Sequence, residues 1–202
     1  TTAGTGSEST SHAVIYYEGK KQSISHPSIV PDIAVLEPSS LKTLPVYQKK
    51  CTMLDALCQG IESWWSVNSN EESIGYSKKA VQMIVDNWKA YIMDNTDEAA
   101  GKIMEAANYA GRAINITATT AAHAMSYKIT SMFNLPHGHA VAVCMPEVWG
   151  YMLAHAEDCI DNRGAEYLKN TLSDISEMFS LDSFTQLMTD LEMEYPTSEN
   201  KE

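Results

Sequence analysis

The chain is short of positive charge. Fourteen lysines and arginines stand against 26 aspartates and glutamates, a net charge of −12. Nucleic acid and anionic membrane surfaces both repel such a chain, so neither is expected as a partner. It also lacks any apolar run near the roughly 18 residues that a spanning helix needs. No signal-peptide pattern opens it, and a cytoplasmic location is the expectation. Cysteine is sparse: Cys51, Cys58, Cys144 and Cys159 form no CxxC pair. Three of them lie among apolar residues at helical spacing, which argues against a disulfide framework and for reduced core thiols. There is no internal repeat and no low-complexity stretch. What is present is ordinary for a globular chain: 202 residues, 44% of them apolar, enough for one or two units with a real core.

The hydrophobic pattern is mostly helical. HAVIYY at 12–17 alternates like a short strand, EGKK reads as its turn, and IAVLE within 26–38 reads as a second strand bounded by prolines. After Pro38 the period changes. Leu54, Leu57, Cys58, Ile61 and Trp65 form one apolar stripe in a helix spanning 46–66. Val81, Ile84, Val85, Trp88 and Ile92 form another at 70–93, opened by a cap-like SNEE. A helix at 96–117 opens with TDEA and carries Ala106, Ala107 and Ala110 on faces suited to close packing. Further helices are expected at about 119–133, 137–153, 163–179 and 182–193. The expected fold is mainly α, a helical bundle over 39–202 with a small β edge at its N-terminal side over 1–38. Trp64, Trp65 and Trp88 leave room for a homodimer on helical faces.

One constellation carries chemistry. His123 lies inside an apolar helical segment, and His137, fourteen residues later, follows Leu-Pro and precedes Gly where a new helix starts. A helix side chain and a loop-to-helix side chain can converge on one point, as an open divalent-metal site requires. Asp55 and Gln59 are four apart and share one side of their helix. Imidazoles with one carboxylate suit Fe(II), Zn or Co better than Mg or Ca. The same residues have plainer readings. Asp55, Gln59 and Glu62 are also what a solvated helix flank looks like, His123 could be a satisfied core histidine, and His137 and His139 could cap a helix.

Wording then adds to spacing. TTAGTGSE, LDALCQGIESWWS, AAHAMSY and NLPHGHAVAVCMPEV occur in this order along essentially the whole chain. Together they resemble the iron-containing alcohol dehydrogenase family, of dehydroquinate synthase-like fold. The resemblance implies metal ligands at Asp55, His123 and His137, with Gln59 where the family carries histidine. Tyr127 likewise stands where many members have a histidine near the substrate. It implies Fe(II), Zn or another divalent ion as cofactor, and NAD(P)H in the full-length enzyme. Thr1, Thr2, Thr5 and Thr10 would border the nicotinamide ribose and pyrophosphate, and Lys21 would reach the ribose. Tyr127 and His139 are the candidate proton donors. The run TTAAHAMSYKITSMFNLPHGHA is similar to a branch that reduces phosphonoacetaldehyde, for which Arg112 or Lys128 would meet the anionic group. The implied partner is therefore a small aldehyde or alcohol.

The chain opens inside a Gly/Thr loop without an initiator Met and closes on a polar tail. It is read as a piece lacking the GGGS-bearing nucleotide-binding half, with 1–38 as that half's remnant, and poor cofactor binding is expected of it alone. Two rivals stay open: a lyase of the dehydroquinate-synthase-like branch, and a non-catalytic helical module.

Overall fold

The computed structural model describes residues 2–18 and 20–197. Among them lie seven α-helices: α1 (Val46–Trp65), α2 (Glu71–Ile92), α3 (Asp97–Thr117), α4 (Ala121–Phe133), α5 (His137–Ala154), α6 (Ala165–Met178) and α7 (Leu181–Asp190). Each falls within three residues of its expected span. Local chemistry sets the starts. Asn70 and Ser73 close a reciprocal capping box at α2, the Asn70 side chain accepting from Ser73 N at 2.9 Å. Thr96 caps α3 and Ser180 caps α7. Pro136 stands at the start of α5, where a missing N–H leaves no bond unmade.

Helix α1 is the axis. Every residue from Met53 to Trp65 is buried, and α2, α3, α5 and α6 pack around it. Trp64 is 2% exposed and Trp65 5%, and Trp88 packs against the same core. Trp64 and Trp65 are thus taken up by the chain's own interior, and Trp88 only in part. A helix enclosed all round normally carries apolar residues throughout. Helix α1 instead takes Asp55, Gln59, Glu62 and Ser63 inside with it, and buried polar groups need partners.

The β edge differs from expectation. β1 (His12–Tyr17) pairs antiparallel with β2 (Lys20–Ser25), in register from His12 opposite Ser25 to Tyr17 opposite Lys20. Glu18, at φ 50°, begins the turn, so the two lysines belong to β2 rather than to the turn. IAVLE is not a strand: among the described residues nothing pairs with it, and Ile33 and Val35 are 82% and 84% exposed. A tight connection lets β1 pair with the segment next in sequence, although KKQSIS has only one apolar residue. None of the helices among the described residues is long and apolar enough to cross a membrane. The four cysteines are free, three of them buried.

Two glycine contacts seat the N-terminal loop and the start of α5. Gly6, at φ 55°, lies on Gly111 of α3, where an added Cβ would come within 2.5 Å of the Gly111 Cα. Only glycine fits so near, and the N-terminal loop rests on α3 as a result. A Cβ on Gly138 would lie 2.0 Å from the carbonyl oxygen of Cys51 and 3.0 Å from Cβ of Asp55. The first turn of α5 thus lies directly on α1.

Candidate metal centre

The contact between α5 and α1 brings His137 over Asp55. Asp55 is 3% exposed, and its Oδ1 lies 3.3 Å from Nε2 of His123 and 3.7 Å from Nε2 of His137. One donor atom from each of the three residues lies within 4.8 Å of the others. Ligands about 2.1 Å from a shared tetrahedral ion stand roughly 3.4 Å apart, so the two carboxylate–imidazole separations match a common cation. Gln59, one turn on from Asp55, is 4% exposed, and its Oε1 has no hydrogen-bond partner. A buried amide oxygen without a donor is costly. A cation beside Asp55 would satisfy it. The donor set, one carboxylate, two imidazoles and one amide oxygen, fits a borderline divalent metal.

Ser126 and Tyr127 of α4 flank this cluster. Ser126 Oγ donates to the carbonyl of His123 at 2.7 Å and sits 3.5 Å from Nδ1 of His137. Tyr127 stacks on His137, ring centroids 6.0 Å apart and 18° between planes, with half of its surface open. Burial opposes charge on His123, but hydrogen bonds and Coulomb attraction from Asp55 and Glu62 outweigh it and push its pKa up to about 9. Without a metal, His123 is an imidazolium between two carboxylates.

Glu62 is the residue that sequence reasoning undervalued. It is fully buried, not part of a solvated flank, and its carboxylate bonds His123 Nδ1. Its spacing from Asp55, two helical turns, was the available signal.

His139 stands apart from the cluster. Its Nε2 donates to the carbonyl of Glu194 at 2.9 Å, and its Nδ1 accepts from the Tyr47 hydroxyl at 2.8 Å. Burial lowers its pKa. Both nitrogens are engaged there, so the structure does not bring this candidate proton donor to the Asp55, His123 and His137 cluster. Arg112 bonds Asn108 at 2.9 Å and lies over the rings of Tyr76 and Tyr109, all on α2 and α3, none in the metal cluster. Lys128 is exposed and adjoins Tyr127 in sequence.

The Gly/Thr loop borders a cleft of about 510 Å³ that Thr2, Gly4, Thr5 and Gly6 line together with Val35 and Met104. Thr10 turns away: it is 7% exposed, and its hydroxyl faces the carbonyls of Ser7 and His12 at 3.5 and 3.3 Å. Thr1 and the side chain of Lys21 lie outside the described residues.

Residues 50–199 match the model of the Fe-containing alcohol dehydrogenase family, C-terminal, and residues 1–38 match that of iron-containing alcohol dehydrogenase. The chain belongs to the iron-containing alcohol dehydrogenase family. Phosphonoacetaldehyde reductase of Streptomyces viridochromogenes is 37% identical over 177 residues, covering 85% of this chain and 45% of that protein. Iron-containing alcohol dehydrogenase from Thermococcus thioreducens superposes with a TM-score of 0.86 at 25% identity, over 96% of this chain and 50% of that one. Sulfoacetaldehyde reductase from Bifidobacterium kashiwanohense, solved with NAD+, gives 0.83 at 25% identity, over 98% and 54%. This family member spans about half the length of these relatives.

Proposed function

We propose that the full protein is a metal-dependent, NAD(P)-linked reductase that interconverts phosphonoacetaldehyde and 2-hydroxyethylphosphonate in the cytoplasm. The carrying observation is the convergence of Asp55, His123 and His137 within 4.8 Å, beside the unpartnered oxygen of Gln59. The substrate rests on the similarity to the Streptomyces enzyme. A structural relative is named for sulfoacetaldehyde, likewise a two-carbon aldehyde with an anionic tail.

In this reading Asp55, His123, His137 and Gln59 hold Fe(II), Zn or another divalent ion. That ion supplies Lewis acidity to a carbonyl oxygen, and the nicotinamide supplies hydride. The chain's own residues orient and protonate. Tyr127, half exposed and stacked on His137, hydrogen-bonds the reacting oxygen and gives it a proton. Thr2 and Thr5 border the cofactor in the cleft on α3. Residues 1–38 belong with the nucleotide-binding domain and 39–202 form the metal-binding one. Lys128, free of the aromatic packing that engages Arg112, meets the phosphonate.

The test is an assay of metal-loaded, full-length protein with NADH and NADPH on phosphonoacetaldehyde and acetaldehyde. At least a tenfold higher kcat/KM on phosphonoacetaldehyde is expected, with Lys128→Ala narrowing the gap. Preference for acetaldehyde would overturn the substrate. No turnover of any aldehyde would overturn the enzyme and favour a non-catalytic module.

A further inference from the structure

Glu62 presents an energetic problem whose solution assigns it a role. It is fully buried on α1, and among the described residues no lysine or arginine pairs with it. A carboxylate taken out of water is tolerated only when its oxygens are satisfied. Both are. Oε1 accepts from Thr120 N at 3.0 Å, Thr120 Oγ1 at 2.7 Å, Ala122 N at 3.1 Å and, at longer range, His123 N at 3.4 Å. These are the donors at the start of α4, a helix whose own N-cap residue makes no side-chain cap bond. Glu62 therefore caps α4 from another helix, where the end of the helix dipole also favours negative charge. Oε2 bonds Nδ1 of His123.

That last bond has a directional consequence. An ionised carboxylate only accepts, so Nδ1 must carry a hydrogen, and the lone pair of a neutral His123 is then on Nε2. Nε2 is the nitrogen 3.3 Å from Asp55. We infer that Glu62 is a positioning residue: while capping α4 through one oxygen, it fixes through the other the tautomer and ring orientation that make His123 a metal ligand through Nε2. The inference rests on the metal-binding reading above and adds to it the group that sets one ligand.

Glu62→Gln separates the two jobs. The amide oxygen still accepts from the α4 N–H groups, but the amide nitrogen now faces Nδ1 and donates to it, which moves the ring hydrogen to Nε2. Removing such an outer partner typically weakens metal binding 10–100-fold. Zn(II) affinity of full-length protein, read by chelator competition, should fall by about that factor, while the helix content in excess EDTA stays at wild type. Thr120→Ala should spare metal binding. It removes the 2.7 Å donor to Glu62 and lowers the melting temperature, with Zn(II) affinity kept within about twofold. If Glu62→Gln does not fold, long-range 1H–15N spectra of the Zn(II)-loaded wild type decide the question. His123 should show a protonated Nδ1 and a metal-shifted Nε2. Equal Zn(II) affinity of wild type and Glu62→Gln, or coordination through Nδ1, would overturn the role of Glu62 alone. A wild type that binds no Zn(II) would overturn the metal reading itself.

Discussion

Raising the pH should weaken the metal-stripped protein and strengthen its hold on metal, and one side chain sets both trends. His123 sits between Asp55 and Glu62, with its folded pKa pushed from 6.5 to about 9. Between those values the folded chain carries a proton that the unfolded chain lacks. Stability from that proton is fully present below about pH 6.5 and is lost as pH rises through 9. The shift corresponds to about 3 kcal/mol, or roughly 6–12 °C in melting temperature for a chain of this length. In the loaded protein the same proton must leave Nε2 before the nitrogen can ligate. Apparent Zn(II) affinity should therefore climb about tenfold per pH unit and level off near pH 9. Melting curves from pH 6.5 to 9.5, in EDTA and in Zn(II), would check the first trend, and calorimetry in buffers of different ionisation heat would count the protons released. A stripped protein whose melting temperature is flat or rising from pH 7 to 9 would refute the imidazolium. His139 acts in a separate window: burial lowers its pKa, so its contribution is lost only as pH falls below its ordinary value.

Gln59 and Gly138 yield the remaining predictions. If the unpartnered Oε1 of Gln59 faces the cation, Gln59→Ala should cost about tenfold in Zn(II) affinity and Gln59→His should tighten binding, both read by chelator competition. Gly138→Ala puts a Cβ 2.0 Å from a backbone oxygen of α1. The first turn of α5 must then shift, lowering the melting temperature by the equivalent of about 1–3 kcal/mol and weakening metal binding because His137 moves with it.

The helices were legible because several carry an apolar stripe of period 3.6 and several open on a local cap, as Asn70 and Thr96 do. The strands were half legible. HAVIYY alternates and forms β1, whereas KKQSIS has one apolar residue and forms β2 only because the turn at Glu18 delivers it to β1. IAVLE has the composition of a strand but pairs with nothing among the described residues, and Ile33 and Val35 stand in the open. Composition reports what a segment can do; pairing depends on what lies beside it.

The site divides along the same line. His139 was within reach of sequence reasoning. Two residues beyond His137 is about 200° around a helix, so the two rings must face opposite sides, and His139 duly meets Tyr47 and Glu194. Glu62 was harder for a specific reason. A self-sufficient start to α4 would read Thr-x-x-Glu, the acid at the third helical position closing a capping box. Here Thr120-Ala121-Ala122-His123 puts the imidazole in that place. A ligand cannot also be the capping acid, so the carboxylate comes from α1, 58 residues away from Thr120 in sequence. A helix start that lacks its acid and bears a histidine there calls for a carboxylate from elsewhere in the fold, and that demand is visible before any coordinates are.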